Sequence, residues 1–210
     1  MFHDRRQAGR QLAQALESYQ GQPCIVLALP RGGVPVAAEV AVALKAPLKL
    51  LLVRKVGLPR NPELAMGAII DGKKPFVVRN DEVIALAGIS GQVFEARCRE
   101  ELQEIHRRQQ TYAGHLAGDD LEGRIAIVVD DGLATGSTAR AALKALRMRH
   151  PTRIVLAVPV APADLVAELQ GEADEVICLE TPSGFGAVGA YYQDFSQLSD
   201  QDVLDELAIK

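Results

Sequence analysis

The apolar positions of this 210-residue chain fall into short blocks separated by longer amphipathic stretches. Ile125 to Val129 is wholly apolar and mostly β-branched, the pattern of a strand in a parallel sheet covered on both faces. Cys24 to Leu29, Leu48 to Val53, Arg153 to Val158 and Glu175 to Cys178 read as further strands. Helices are predicted from about Asp4 to Tyr19, over the Ala- and Val-rich run Val34 to Leu44, from Ser90 to Leu116, from Ser137 or Thr138 onward, and from Pro162 to Gln170. Strands alternating with helices predict an α/β fold: a mostly parallel central sheet flanked by helices, with right-handed crossovers. Ala65 to Ile70 and Pro75 to Val78 look like short extended segments joined at Asp71-Gly72, a hairpin signal. Arg54 to Pro62 is punctuated by Gly and Pro and reads as a long flexible loop, a candidate lid.

Candidate chemistry stands at the ends of two of these strands. After Val129 the chain runs Asp130-Asp131-Gly132-Leu133-Ala134-Thr135-Gly136-Ser137-Thr138 and enters a helix. Small residues let backbone amides approach an oxyanion, and the unpaired N–H groups and dipole of the helix face the same anion. Two acids beside an anion cradle suit a ligand that carries phosphate, hydroxyls and a metal. Asp130 and Asp131 can accept hydrogen bonds from ribose hydroxyls or hold hydrated Mg2+, while the amides and the hydroxyls of Thr135, Ser137 and Thr138 take phosphate. A strand-to-helix turn with a capping Asp would require neither the second acid nor the Thr-Gly-Ser-Thr run. The loop's glycine pattern is not Gly-x-Gly-x-x-Gly, and Gly-x-x-x-x-Gly-Lys-Ser/Thr does not occur in the chain. Earlier, the first strand ends in Leu29-Pro-Arg-Gly-Gly-Val34, where Gly32 and Gly33 allow amides to face a ligand and Arg31 adds a fixed charge for phosphate. Lys45 to Arg60 holds Lys45, Lys49, Arg54, Lys55 and Arg60 without one acid.

The run from Ile125 to Thr138 resembles the phosphoribosyl pyrophosphate (PRPP) signature of the type I phosphoribosyltransferases: apolar strand, two acids, short loop, Thr-Gly-x-Thr. The Leu-Pro-Arg-Gly-Gly-Val-Pro-Val start and the Phe185 to Tyr192 tail are similar to a subgroup of that family with no assigned acceptor. The resemblance implies the type I phosphoribosyltransferase fold. It also implies that Asp130 and Asp131 contact the ribose hydroxyls and that Ala134, Thr135, Gly136, Ser137 and Thr138 hold the 5′-phosphate. Arg31, Gly32 and Gly33 fall on the pyrophosphate loop. Arg54 and Lys55, with Arg60 as a further candidate, fall on a mobile loop that closes over pyrophosphate. The implied reaction moves ribose 5-phosphate from PRPP to a small nitrogen acceptor, expected to be a nucleobase, and releases pyrophosphate. Asp130, Asp131, Arg54 and Lys55 are its catalytic candidates. Mg2+ is the implied cofactor, held at Asp130 and Asp131 directly or through water or ribose hydroxyls. A homodimer is expected on the same ground. Several 6-oxopurine enzymes place an Asp beside the base where this chain has Ala134, which speaks against hypoxanthine or guanine. A regulatory protein that binds PRPP or a nucleotide without turnover is the alternative.

Composition narrows these readings. The chain is 48% hydrophobic and 24% charged, with a net charge of -4, so neither a nucleic-acid nor a membrane partner is expected. Cys24, Cys98 and Cys178 are widely spaced, with no Cys-x-x-Cys, and Cys24 and Cys178 sit in apolar runs as expected buried thiols. The charged start, Met1 to Arg6, and the shortness of every apolar run predict a cytoplasmic protein. One domain over residues 1–210 is expected, with a small hood from the terminal segments. Phe185, Tyr191, Tyr192 and Phe195 read as a packing cluster or as faces for a planar base.

Overall fold

A computed structural model describes residues 1–72, 75–118 and 121–208, without the side chain of Glu63. Its first strand, β1 (Cys24–Ala28), is buried along its whole length, and its neighbours explain why no polar residue interrupts it. Five strands form a parallel sheet in the order β2 (Leu48–Leu50), β1, β6 (Ile125–Val129), β7 (Arg153–Val160) and β8 (Glu175–Glu180). Alternate side chains enter two separate cores, as the pleat requires. Val26 and Ala28, with Ile127 and Val129, face a core built on α1 (Arg5–Ala15), α2 (Gly33–Leu44) and α4 (Gly91–Thr111), with α7 (Asp200–Ala208) adding Val203. Ile25 and Leu27, with Ala126 and Val128, face the other core, against α5 (Ser137–Arg147) and α6 (Ala163–Leu169).

The mostly parallel α/β architecture expected from the alternation is therefore present, and three local expectations need correction. Leu48 to Val53 is not one strand. The sheet strand ends at Leu50, and β3 (Val53–Leu58) starts a second, antiparallel sheet of β3, β4 (Asn61–Ile70) and β5 (Phe76–Arg79). Arg54 to Pro62 is consequently not a long loop. It makes most of a hairpin, in which Leu58 pairs with Asn61 and the register shifts at Gly57. A β-carbon at Gly57 would lie 2.4 Å from the Pro62 carbonyl oxygen, so the glycine admits the proline-bearing strand. The charged helix stops at Thr111 instead of Leu116, and Leu116 bridges to Leu50 at the sheet edge. Two helices, α3 (Asp81–Leu86) and α7, lie outside the predicted set.

The base of the hairpin is closed at Asp71, which is 1% exposed. Its Oδ1 accepts from the Leu52 amide at 3.1 Å, and its own amide donates to the Leu52 carbonyl at 3.0 Å. Cys24 and Cys98 are buried and Cys178 is half-buried. No helix among the described residues is long and apolar enough to cross a membrane.

Candidate active site

Strands β1 and β6 lie side by side in parallel, with Ala28 opposite Val129, so the loops that leave them emerge together. Leu29 continues the pairing by donating to the Val129 carbonyl at 2.9 Å. The chain then turns through Pro30-Arg31-Gly32, and the Pro30–Arg31 peptide is cis. Gly32 and Gly33 do more than expose amides. A β-carbon at Gly33 would stand 2.6 Å from the Val129 carbonyl oxygen, and one at Gly32 would stand 2.0 Å from Asp131 Oδ2. Only glycines let the first loop lie against the acid pair.

The acids themselves are constrained by local bonds. Asp130 Oδ1 accepts from the Asp131 amide at 2.9 Å. Asp131 Oδ2 accepts from Arg5 Nε at 2.8 Å, and the Asp131 carbonyl accepts from the Tyr192 hydroxyl at 2.6 Å. Burial and then the charge of Asp131 push the Asp130 carboxyl well above the usual carboxylate range. Burial also raises Asp131, against the opposing hydrogen bond from Arg5. Beyond the acids, Leu133 bonds to the Val160 carbonyl at 2.9 Å and anchors the loop. Gly136 caps α5 with φ 69°, a left-handed conformation suited to glycine. Ala134 and Thr135 are exposed, and the Thr135 and Ser137 hydroxyls lie 3.2 Å apart over the start of α5. The first N–H groups of that helix have no intrahelical acceptor, which leaves backbone donors at this turn.

A polar cleft of about 480 Å³ adjoins the loop, lined by Arg31, Arg54, Lys55, Arg97, Arg108 and Thr138 together with Glu101. The structure thus brings Arg31, Arg54 and Lys55 to one space beside Thr138. Arg54 and Lys55 arrive on strand β3, however, and not on a mobile loop. Arg54 directs its Nε and Nη2 to Glu101 Oε2 at 2.7 Å. Arg60 is exposed at the hairpin turn and does not line the cleft. Arg31 Nη1 lies 4.0 Å from Asp200 Oδ1, and that carboxylate also accepts from the Tyr112 hydroxyl at 2.6 Å and from Arg107 at 2.9 Å. The Tyr112 bond, followed by Arg107, lowers the Asp200 pKa against its partial burial.

A second recess, about 660 Å³, opens on the other side of the loop and is lined by Ala134, Thr135, Pro162, Asp164, Ser183 and Phe185. Phe185 stacks on Tyr191 with centroids 5.3 Å apart, and Tyr192 packs between Phe2 at 5.4 Å and Phe195 at 5.0 Å. The aromatic tail is therefore a packing cluster, with Phe185 at the edge of the recess. Arg5, Arg97, Glu101, Arg108 and Asp200 were not among the predicted site residues. Arg97, Glu101 and Arg108 carried a signal in the unusual charge density of their helix.

No group of three or more His, Cys, Asp or Glu side chains among the described residues could cage a metal. The acid pair does suit Mg2+, which binds through one or two carboxylates and completes its octahedron with water and substrate oxygens.

A parallel α/β sheet thus carries, at adjacent strand ends, an acid pair and a Thr-Gly-Ser-Thr loop that opens α5 beside an arginine-lined cleft. The family model for the phosphoribosyl transferase domain matches residues 3–194, and the chain belongs to that family. It is 48% identical over 204 residues to proteins of Mycobacterium tuberculosis strains H37Rv and CDC 1551 whose names place them provisionally among the phosphoribosyl transferases. The match covers 97% of this chain and 46% of those proteins, so the chain spans about half their length. The crystal structure of TT1426 from Thermus thermophilus superposes with a TM-score of 0.85 at 40% identity, covering 99% of this chain and 97% of that one.

Proposed function

We propose that the protein transfers ribose 5-phosphate from PRPP to a small nitrogen acceptor and releases pyrophosphate. The observation that carries this reading is a loop that begins at the acid pair and ends at Thr138 on the wall of an arginine-lined cleft. The loop from Ala134 to Thr138 at the start of α5 supplies one anion-binding region, for the 5′-phosphate. The cleft of Arg31, Arg54, Lys55, Arg97 and Arg108 supplies the other, for pyrophosphate. Asp130 and Asp131, at the head of the loop, hold the ribose hydroxyls. A diphosphorylated ribose needs two such anion-binding regions.

Bond breaking at the anomeric carbon leaves positive charge on the ribose and gathers negative charge on the leaving pyrophosphate. Preorganised guanidinium groups stabilise that negative charge without reorganising at the moment of reaction. Arg54 exchanges Glu101 for the ligand, and the hairpin of β3 and β4 excludes water above it. Asp130 and Asp131 orient the sugar and favour its cationic form. Asp130 and Asp131 would hold Mg2+, which would supply charge neutralisation for the diphosphate. The acceptor enters at the recess beside Ala134, where Phe185 offers an aromatic edge and Asp164 a carboxylate. Cytoplasmic location and assembly as a homodimer complete the proposal.

Ala134 supports a second reading, because this position offers no carboxylate to an incoming base: a regulatory protein that binds PRPP without turnover. Pyrophosphate release from Mg·PRPP across a panel of nucleobases and amines separates the two. Release that depends on one acceptor supports the transferase. Tight PRPP binding with no release under any acceptor supports the sensor, and release without an acceptor contradicts both.

A further inference from the structure

Asp131 is gripped from a direction that the loop itself does not supply. Arg5 stands 126 positions earlier in the chain, yet its side chain and that of Asp131 are only 11% and 14% exposed where they meet. The guanidinium is fixed at two further points. Its Nη1 donates to the Ser196 carbonyl at 3.0 Å, and its Cζ lies 3.9 Å from the centroid of the Phe195 ring. Arg5 is the first residue of α1, whose start is set by Asp4 accepting from the Gln7 amide at 2.7 Å.

The segment before Arg5 is zipped to the carboxyl-terminal tail. The Phe2 amide donates to the Tyr191 carbonyl at 2.8 Å, and the Gln193 and Asp194 amides donate to the Phe2 and His3 carbonyls at 2.9 Å each. Phe2 is 1% exposed, and Met1 places its amino group 2.9 Å from Glu180. The same clasp reaches Asp131 twice, through Arg5 at the carboxylate and through Tyr192 at the carbonyl. Gly32 closes the space beside the same oxygen, since even a methyl there would meet Oδ2. Arg5 bonds Oδ2 and leaves Oδ1 for a ligand.

We propose that Arg5 is a positioning residue of the PRPP site, holding Asp131 Oδ2 so that Oδ1 is presented to a ribose hydroxyl, and that the clasp of residues 1–5 with 191–196 is a working part of that site. The inference rests on the PRPP-binding reading above. Adjacent carboxylates repel each other, and a buried carboxylate that loses its cation is left with uncompensated charge and no fixed rotamer. A guanidinium held at three points supplies both the charge and the orientation. A lysine supplies the charge without the fork.

The test measures Mg·PRPP affinity by calorimetry and the thermal midpoint for the wild type, Arg5→Ala, Arg5→Lys and Arg10→Ala. Arg10 lies on the same helix and pairs with Glu39 at 3.3 Å, so it controls for loss of charge alone. Arg5→Ala is expected to weaken binding about 10- to 100-fold, as loss of a supporting partner does elsewhere. Arg5→Lys falls between Arg5→Ala and the wild type, and Arg10→Ala matches the wild type. Millimolar guanidinium restores binding in Arg5→Ala and leaves the wild type unchanged, which a merely folding-related loss would not do. Unchanged affinity in Arg5→Ala, an equal loss in Arg10→Ala, or a loss that guanidinium does not restore overturns the inference alone. A wild-type protein that does not bind Mg·PRPP overturns the PRPP reading and this inference with it.

Discussion

Gly32 lies so close to Asp131 that a β-carbon added to it would fall 2.0 Å from Asp131 Oδ2. The loops after β1 and β6 are thus one unit, and the first loop helps to set where the second presents its acid. Gly32→Ala is expected to push the Asp131 carboxylate aside and weaken Mg·PRPP binding about tenfold or more, equivalent to at least about 1.4 kcal/mol. Overpacking should cost about 1–3 kcal/mol of stability as well. Calorimetry beside urea denaturation separates the two effects, and wild-type affinity in Gly32→Ala would show that the contact is dispensable.

Arg54 is occupied by Glu101 in the cleft, both nitrogens within 2.7 Å of one carboxylate oxygen. A ligand anion must displace that carboxylate. Glu101→Gln is expected to tighten pyrophosphate binding by up to about fivefold, the range of a partly exposed ion pair. Arg54→Ala should weaken it about tenfold, as loss of a charge-assisted contact does. Competition by pyrophosphate against PRPP reads both variants, and opposite signs are required.

Asp71 closes the base of the β3–β4 hairpin against Leu52, and burial raises its pKa from 3.8 to about 7. The folded protein therefore holds a proton there between about pH 4 and pH 7 that the unfolded chain has released. The native state binds more protons across that window, so this group's contribution is fully present below pH 4 and is lost as pH rises through about 7. The loss is of the order of 4 kcal/mol. Asp71→Asn keeps an acceptor for the Leu52 amide and removes the charge. Urea denaturation at pH 5 and pH 8 should show a smaller drop in stability for the variant than for the wild type, and equal drops would exclude Asp71 as the source.

Tyr192→Phe removes the hydroxyl that bonds the Asp131 carbonyl at 2.6 Å. A loss of about 1 kcal/mol is expected from the missing hydrogen bond, with the unsatisfied carbonyl setting its sign. Chemical denaturation measures it. An unchanged midpoint would mean that the clasp holds the loop through Arg5 alone.

Legibility in the sequence followed the range of the interactions. The alternation of apolar strands and amphipathic helices is written in contiguous residues, so β1, β6 and the start of α5 could be placed from the chain alone. Asp130 through Thr138 form one local turn and were equally readable. The hairpin was not, because Gly57, Pro59 and Pro62 look like loop punctuation. Only the pairing of Gly57 against the Pro62 strand shows that they belong to an irregular ladder. Arg5 and Asp200 escaped for a different reason. Their partners, Asp131 and Arg31, lie 126 and 169 positions away, and no periodicity records a contact across that separation. Asp4 announced where α1 starts and said nothing of what its first side chain would touch.

The central claim is that the acid pair, the loop that follows it and the arginine-lined cleft form a PRPP site. Calorimetric titration of Mg·PRPP into the wild type and into the double variant Asp130→Asn with Asp131→Asn tests it most directly, with a thermal midpoint taken on both to confirm folding. Saturable binding by the wild type and none by the folded double variant is the predicted result. Equal affinity in the two, or no binding by the wild type, would contradict it.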